Sequence, residues 1–133
     1  MEYLRKNFVC KNQIKKGLNG VKEALGYMKK GYSIALMVDQ RVSEGSKVNF
    51  FNSNAYTTTL PAQLSSRFNC DIVPVYISRN LEDRFDMEIL DPLKISKISK
   101  ENKEFMTKKI NETIEKLILR DPSQWILTHN RWK

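Results

Sequence analysis

The sequence has 133 residues, 41% of them hydrophobic and 29% charged, a length that allows one modest core and excludes two large domains. Lysine and arginine (23) outnumber aspartate and glutamate (15), which gives a formal net charge of +8. This charge favours anionic partners, although it does not separate nucleic acid, anionic lipid headgroups and an acidic protein. No apolar run reaches the roughly 20 residues that span a bilayer, so we expect no membrane-spanning segment here.

Residues that could ligate a metal are few and scattered. Cys10 and Cys70 do not form a C-x-x-C pair, and His129 is the only histidine. The sequence therefore predicts two reduced thiols, a structural role for His129, and neither a metal nor another cofactor.

The first half predicts a helix followed by a strand. Leu18, Val21, Leu25 and Met28 recur every three or four residues, which indicates an amphipathic helix that ends at Gly31. Residues 33–38 form a short continuous apolar run, typical of a buried strand in an α/β sheet. A polar loop and a short segment at 48–51 follow.

The second half predicts two helices around a strand pair. The Thr57 to Thr59 hydroxyls and Pro61 predict a helix over 60–68, with Leu64 in its buried line. Residues 71–78 predict a strand in which Pro74 marks an edge or a bulge. Residues 84–90 alternate between apolar and charged side chains, which indicates a half-exposed antiparallel strand after a turn at 80–83. A solvated connection at 94–103 then leads to a long amphipathic helix over 103–120.

This order of elements predicts an α/β fold, a three-layer sandwich in which helices flank a mixed β-sheet. Reactive groups in such sheets gather where loops leave the carboxyl ends of the strands, the position predicted for Asp39. The Arg41 guanidinium suits phosphate, and Asp39 could orient it. Phe50 and Phe51 fit either a core pair or an acyl-binding wall. Nucleophile-elbow, P-loop and dinucleotide motifs do not occur.

Several motifs in a fixed order resemble those of a known family. They are Ser33-Ile34-Ala35-Leu36-Met37-Val38-Asp39-Gln40-Arg41, Gly45, Val48-Asn49-Phe50-Phe51, Ala55-Tyr56-Thr57-Thr58, the helix and proline-containing strand that follow, Pro122-Ser123-Gln124-Trp125 and His129-Asn130-Arg131-Trp132-Lys133. In order and spacing these resemble the C-terminal part of the lipid A biosynthesis lauroyl/myristoyl acyltransferases, in the lysophospholipid acyltransferase-like superfamily. The family has proline and glycine where this chain has Asn49 and Asn52, and arginine in place of Asn130. Asparagine adopts a positive φ at a higher cost than glycine but still adopts it. We therefore expect the loop to keep its conformation with altered dynamics.

The resemblance implies an acyltransferase that needs no cofactor, with Arg5 and Asp39 in supporting catalytic roles. It also implies substrate contacts from Gln40, Arg41, Phe50, Phe51, Thr57, Thr58 and Arg131. In the family an N-terminal membrane helix precedes a histidine that is followed five positions later by an acidic residue, a pair that deprotonates the acceptor hydroxyl. Because this sequence does not contain that pair, we expect residues 1–133 to be a single partial acyltransferase domain without activity of its own.

The partners that the resemblance implies are anionic, in agreement with the charge. They are an acyl carrier protein thioester as donor, a phosphorylated disaccharide lipid as acceptor and the anionic surface at the cytoplasmic face of the bacterial inner membrane, with no nucleic acid. One alternative is a glycerol phosphate or lysophospholipid acyltransferase of the same superfamily. Another is a non-catalytic basic module that binds anionic lipid or nucleic acid, against which the dispersed lysines and the absence of a nucleic-acid motif argue.

Overall fold

Helices and short strands alternate along the chain in a computed structural model that describes residues 2–8, 10–15, 17–43, 45–95, 102–126 and 130–133. In these ranges the elements are α1 (Glu2–Phe8), α2 (Leu18–Lys29), β1 (Ser46–Phe50), β2 (Ser53–Thr57), α3 (Leu60–Phe68), β3 (Val75–Arg79), β4 (Phe85–Ile89) and α4 (Lys103–Ile118). The predicted α/β class is confirmed. The described strands form two separate antiparallel pairs, β1–β2 and β3–β4, and not the one mixed sheet that the element order suggested.

The chain forms two compact units, Met1–Ala35 and Leu36–Lys133. In the first unit, α2 confirms the predicted amphipathic helix. Gly31 takes up a φ of 82° after its end and donates its N–H to the Met28 carbonyl at 3.0 Å, a geometry that favours glycine. The predicted apolar stripe is only partly buried, because Leu18 is exposed and Ala24 lies in the buried face.

The strand predicted at 33–38 is wrong. These residues have no regular secondary structure, and most are exposed, including Met37. An apolar run supplies side chains for a strand, but the strand itself needs a neighbour that accepts and donates its backbone hydrogen bonds. Among the described strands none pairs with this run, since each pairs only with its hairpin partner.

In the second unit, β1 and β2 form a hairpin in which Val48 pairs with Ala55 and Lys47 with Tyr56. Successive side chains of a strand point to opposite faces. Phe50, Ala55 and Thr57 are therefore buried on the inner face, while Lys47 and Asn49 are exposed on the outer one. The strand β2 was not predicted from the sequence.

The two helices of this unit agree with their predictions. Helix α3 spans residues 60–68 as expected, and α4 ends two residues before the predicted Arg120. The Asn102 side chain caps α4 by accepting from the Phe105 N–H at 3.0 Å. Leu64 of α3 and Met106 and Ile110 of α4 are buried, so an apolar core forms beside the first hairpin.

The second hairpin confirms the antiparallel strand predicted at 84–90, as β4, with its turn near 80–83. The expectation that this strand is half-exposed is wrong, because all five of its residues are exposed. The strand predicted at 71–78 is observed only from Val75 to Arg79. Pro74 directly precedes it, and its carbonyl accepts from the Leu90 N–H at 3.0 Å, so the proline extends the pairing as an acceptor at the strand end, where a missing N–H is tolerated. Phe85, Met87 and Ile89 are exposed. On the opposite face Glu88 forms an ion pair with Arg120 at the end of α4, whose guanidinium also lies 5.2 Å from the Tyr76 ring centre.

Gln124 fastens this hairpin at one edge. Its side-chain oxygen accepts from the Arg79 N–H at 2.6 Å, and its side-chain nitrogen donates to the Arg79 carbonyl at 3.2 Å. The same nitrogen donates to Asp121 at 2.6 Å. Of the connection predicted at 94–103, residues 96–101 lie outside the described part of the chain.

Candidate functional site

The Thr57 hydroxyl lies at the centre of a buried polar network on the inner face of the first hairpin. It accepts from Asn111 Nδ2 at 3.1 Å and from Arg131 Nη2 at 3.2 Å, and it donates to the Ala55 carbonyl at 3.3 Å. Because the oxygen has two lone pairs and one proton, its hydrogen-bonding capacity is full. Thr57 thus joins the hairpin, α4 and the C-terminal segment.

The backbone of Gly45 packs closely against the backbone of Thr57. Gly45 lies so near that a Cβ built on it would stand 2.7 Å from the Thr57 carbonyl oxygen, so a side chain at 45 would displace the hairpin. The Tyr56 N–H donates to the Arg131 carbonyl at 2.8 Å, which draws the C-terminal segment alongside β2.

Arg131 is a buried cation with incomplete hydrogen bonding. Its side chain is 1% exposed, and its Nε and Nη1 have no hydrogen-bond partner among the described residues. The guanidinium carbon instead lies 3.9 Å from the centre of the Phe50 ring, a cation–π contact. Burial lowers the pKa of Arg131 from its ordinary value, and the negative charge of Asp39 acts in the opposite direction.

Asp39 is half-buried in the irregular segment before β1, so the structure brings it into electrostatic range of Arg131. The sequence predicted that Asp39 follows the end of a strand, but among the described residues no strand precedes it. Gln40 and Arg41 follow and are exposed. Of the residues predicted to act on substrate, Asp39, Arg41, Thr57 and Arg131 thus lie around one hairpin.

The Phe50-Phe51 pair belongs to the core. Phe50 is completely buried, Phe51 is half-buried, and their ring centres lie 4.8 Å apart. Trp125 and Trp132 pack against the pair, and the Trp132 ring nitrogen donates to the Phe50 carbonyl at 3.2 Å. Phe50 is thus a core residue, whereas Phe51 is half-buried and packs against the core.

The turn between β1 and β2 holds two residues with positive φ, 48° at Phe51 and 60° at Asn52. Two positive φ values are typical of a type I′ turn, in which Asn is accepted and a bulky aromatic residue is strained. A carboxylate offsets part of this strain, because Glu115 Oε1 of α4 accepts from the Phe51 N–H at 2.8 Å. The loop therefore keeps the turn geometry with Asn52 in place of glycine.

The outer face of the hairpin is polar and basic. Tyr56 carries two cations near its ring, with Arg41 at 5.8 Å and Lys47 at 5.4 Å from the ring centre. Within the described ranges, neither cation has a carboxylate within ion-pair distance.

The remaining predicted residues do not join this cluster. Thr58 is half-buried and accepts from the Leu60 N–H at 3.2 Å at the start of α3. Arg5 belongs to α1 in the first unit, and its side chain lies outside what the structure describes. His129 also lies outside the described residues. Both cysteines are free, and the described residues contain no group of three or more side chains that could hold a metal ion.

Sequence reasoning missed Asn111 and Glu115. A signal was present, because Thr107, Asn111 and Glu115 are spaced by four residues on α4, and such residues share one helix face. Thr107 and Asn111 are completely buried beside Met106 and Ile110. Polar residues in the apolar half of a helix indicate a buried hydrogen-bonding role.

Chemically, the hairpin is surrounded by cations, carboxylates and neutral hydrogen-bonding groups, the charged ones being Arg41, Lys47, Arg131, Asp39 and Glu115. Such a set orients a loop and binds anionic groups, whereas proton transfer near neutral pH is more often the work of an imidazole. None of the helices within the described ranges is both long enough and apolar enough to span a membrane.

Comparison with known proteins adds one match. The family model of the bacterial lipid A biosynthesis acyltransferases matches residues 4–133, which is nearly the whole chain. No curated protein matches the sequence.

Proposed function

Because the chain belongs to the bacterial lipid A biosynthesis acyltransferases, we propose that it serves to transfer a fatty acyl chain from an acyl carrier protein thioester to a hydroxyl of a phosphorylated disaccharide lipid. The observation that carries this proposal is the family match over residues 4–133. The cluster around Thr57 supports it, since the Arg131 motif contacts Thr57 there and the charge of Asp39 acts on Arg131.

In this proposal the exposed residues contact the substrate and the buried residues keep the site in shape. Gln40 and Arg41 are exposed and contact the acceptor, and Asp39 organises the segment that carries them. Phe50, Thr57 and Arg131 are buried and hold that segment and the hairpin in place. Phe51 and Thr58 are half-buried and border the site, and Arg5 stabilises negative charge.

Acyl transfer also needs a base for the acceptor hydroxyl. The sequence has one histidine, His129, which lies outside the described residues, and no histidine is followed by an acidic residue within the sequence. We therefore propose that residues 1–133 act as a partial acyltransferase domain and that the purified chain has no turnover by itself.

The charge of +8 suits an acidic carrier protein and the anionic cytoplasmic face of the inner membrane, which are the proposed partners. We expect no nucleic acid partner.

The proposal can be tested in the source bacterium. The purified chain of residues 1–133 should show no turnover, whereas deletion of the whole reading frame that contains it should remove one acyl chain from lipid A, measured by mass spectrometry. A complete copy with Asp39→Asn should restore less acylation than the complete wild-type copy. A matched copy with Asp91→Asn changes an exposed carboxylate elsewhere and should restore acylation fully. Unchanged lipid A after deletion would refute the proposal, and a loss of glycerophospholipid acylation instead would favour the other branch of the superfamily.

A further inference from the structure

One face of the second hairpin consists of exposed apolar side chains. Across the ladder Val75 pairs with Ile89 and Ile77 pairs with Met87. Phe85 occupies the next alternate position of β4, towards the turn. Paired residues and alternate positions of a strand lie on the same side of a sheet. We call the surface formed by Val75, Ile77, Phe85, Met87 and Ile89 the apolar face.

The apolar face is open to solvent, although its side chains favour burial. Phe85 and Ile89 are each 71% exposed, and Met87 is 66% exposed. The opposite face of the hairpin contacts the end of α4, where Glu88 pairs with Arg120. A two-stranded sheet is marginally stable in water by itself, and a contiguous exposed apolar patch marks a site of interaction. The apolar face is therefore suited to a second layer that packs on it.

The edge of the hairpin is less accessible than this face. At the edge of β3 the Gln124 side chain occupies both backbone groups of Arg79. A partner that added a strand at this end would first have to displace Gln124, whereas a partner that packs on the apolar face would not.

The two ends of the apolar face carry opposite charges. At the turn end Arg79 pairs across the ladder with Phe85. At the open end the Leu90 N–H donates to the Pro74 carbonyl at 3.0 Å, which continues the pairing by one residue. The exposed Asp91 therefore takes the next position of the same face. From the turn to the open end, the surface runs from a cation through apolar side chains to an anion.

We propose that the apolar face binds the same face of a second copy of this chain. A two-fold dimer brings one patch onto itself, so the patch must be complementary to itself. If the two copies run in opposite directions, Arg79 of one copy lies at the end that carries the partner's Asp91, and the apolar rows meet between them. Arg79 already pairs with Asp83 at 3.2 Å, but this pair is exposed and contributes little, so the exchange is permitted.

The composition of the hairpin argues against an anionic partner for this face. Residues 71–91 contain six acidic residues and two arginines, so this segment is acidic although the whole chain has a net charge of +8. Anionic lipid headgroups and an acidic carrier protein would both meet like charges here. A second copy meets them as well, but it also provides an opposite charge for each end of the face.

The size of the face predicts a weak dimer. Strands of five residues are roughly 16 Å long, and a stable interface takes roughly 800 Å² on each partner, more than one such hairpin offers. We therefore expect a Kd between about 10 μM and 1 mM. The dimer goes beyond the proposed function and does not depend on it, so the Asp91→Asn copy should restore acylation whether or not it dimerises.

Sedimentation equilibrium of the 133-residue chain should show a monomer and a dimer in this concentration range. Met87→Glu places a charge at the centre of the apolar face and should raise the Kd about tenfold or more. Ile126→Glu is the matched control, because Ile126 is a 78% exposed apolar residue outside the hairpin, and it should leave the Kd unchanged. Circular dichroism checks that both variants are folded.

A charge exchange tests the orientation of the two copies. Arg79→Asp and Asp91→Arg should each raise the Kd about threefold to tenfold, because like charges then meet at both ends of the dimer. An equal mixture of the two variants should form heterodimers with the Kd of the wild type, since opposite charges meet again at each end. Mixing would not repair a variant that was merely misfolded.

Three results of these measurements would each overturn the proposal. They are a chain that stays monomeric up to about 1 mM, an equal effect of Ile126→Glu, and no recovery in the mixture. Binding of anionic vesicles or of acyl carrier protein to this face would overturn it too, if Met87→Glu abolished that binding and Ile126→Glu did not.

Discussion

The guanidinium of Arg131 stacks on the Phe50 ring at 3.9 Å, while its Nε and Nη1 stay without hydrogen-bond partners among the described residues. A desolvated cation–π contact contributes about 2 kcal/mol, whereas burying an ion costs several kcal/mol. The contact therefore offsets only part of the cost of burying this charge.

Replacement of Arg131 by methionine should accordingly leave the free energy of unfolding unchanged or raise it by about 1–4 kcal/mol, because a flexible apolar side chain fills the space without a charge. Urea denaturation measures the change. Arg67→Met, at an exposed position of α3, controls for the general effect of losing an arginine. A loss of about 3 kcal/mol or more at position 131 would show that the cation is well compensated in the folded protein.

Asp39 and Arg131 should be energetically coupled, because the carboxylate favours the charged form of the guanidinium. We expect Asp39→Asn to destabilise the wild-type chain and to have a smaller effect when Arg131 is methionine. A double-mutant cycle from four denaturation curves should give a coupling energy of about 0.5–1 kcal/mol. Additive effects of the two replacements would mean that Asp39 does not stabilise the charged form of Arg131.

Asn52→Gly should stabilise the chain by a few tenths to about 1 kcal/mol, since Asn52 has a φ of 60° that glycine adopts without steric cost. The same replacement at Asn54, two residues later within β2, should instead destabilise by about 0.5–1 kcal/mol. Opposite signs in the two urea midpoints are the expected result. Destabilisation by both replacements would argue against a left-handed backbone at position 52.

Glu115→Ala should cost about 1–3 kcal/mol, because it leaves the N–H of the strained residue Phe51 without its acceptor. Glu115→Gln keeps an oxygen in place and should cost less. Glu112→Ala is the matched change one turn earlier on α4, where an exposed ion pair with Lys109 is worth about 0.5 kcal/mol. Equal losses at positions 115 and 112 would contradict the role of Glu115 in the turn.

Acid should weaken the chain partly through Asp121. Hydrogen bonds from Ser123 and Gln124 lower the pKa of this carboxyl below its ordinary value of 3.8. A lowered pKa stabilises the folded state above 3.8, and this contribution is lost as the pH falls through the folded-state value. Asp121→Asn should therefore lose less stability than the wild type between pH of about 6 and 3, measured by urea unfolding. An identical loss in both proteins would exclude Asp121 as a source of the acid sensitivity.

Elements governed by local chemistry could be predicted from the sequence. Helix α3 has the predicted bounds because Thr58, Pro61 and a periodic apolar line act within a few residues. The strand β4 was recognisable from its period of two, which needs no knowledge of the partner.

Elements that depend on partners far away in the sequence could not be predicted. The run at 33–38 has the composition of a buried strand, but composition does not provide a neighbouring ladder. Strand β2 was missed because its turn is Phe51-Asn52, which lacks the glycine that usually marks a two-residue hairpin.

In the candidate site, too, the contacts between residues distant in the sequence could not be predicted from local patterns. Asp39 and Arg131 were found through motif resemblance, since their proximity depends on the tertiary fold. Asn111 was missed because a polar residue on an amphipathic helix is usually assigned to the solvent face, and its spacing of four residues from Thr107 was not used.

The paired hydrogen bonds between Gln124 and Arg79 cover part of the open edge of the second hairpin. The outer edge of a two-stranded sheet exposes backbone groups that can recruit a strand from another molecule. At Arg79 both the N–H and the carbonyl are already occupied by one side-chain amide, which acts there as a single-residue substitute for a third strand. The exposed Phe85 and Met87 belong to the same hairpin, so at that end of the edge an incoming strand would have to displace Gln124 before it could pair with Arg79.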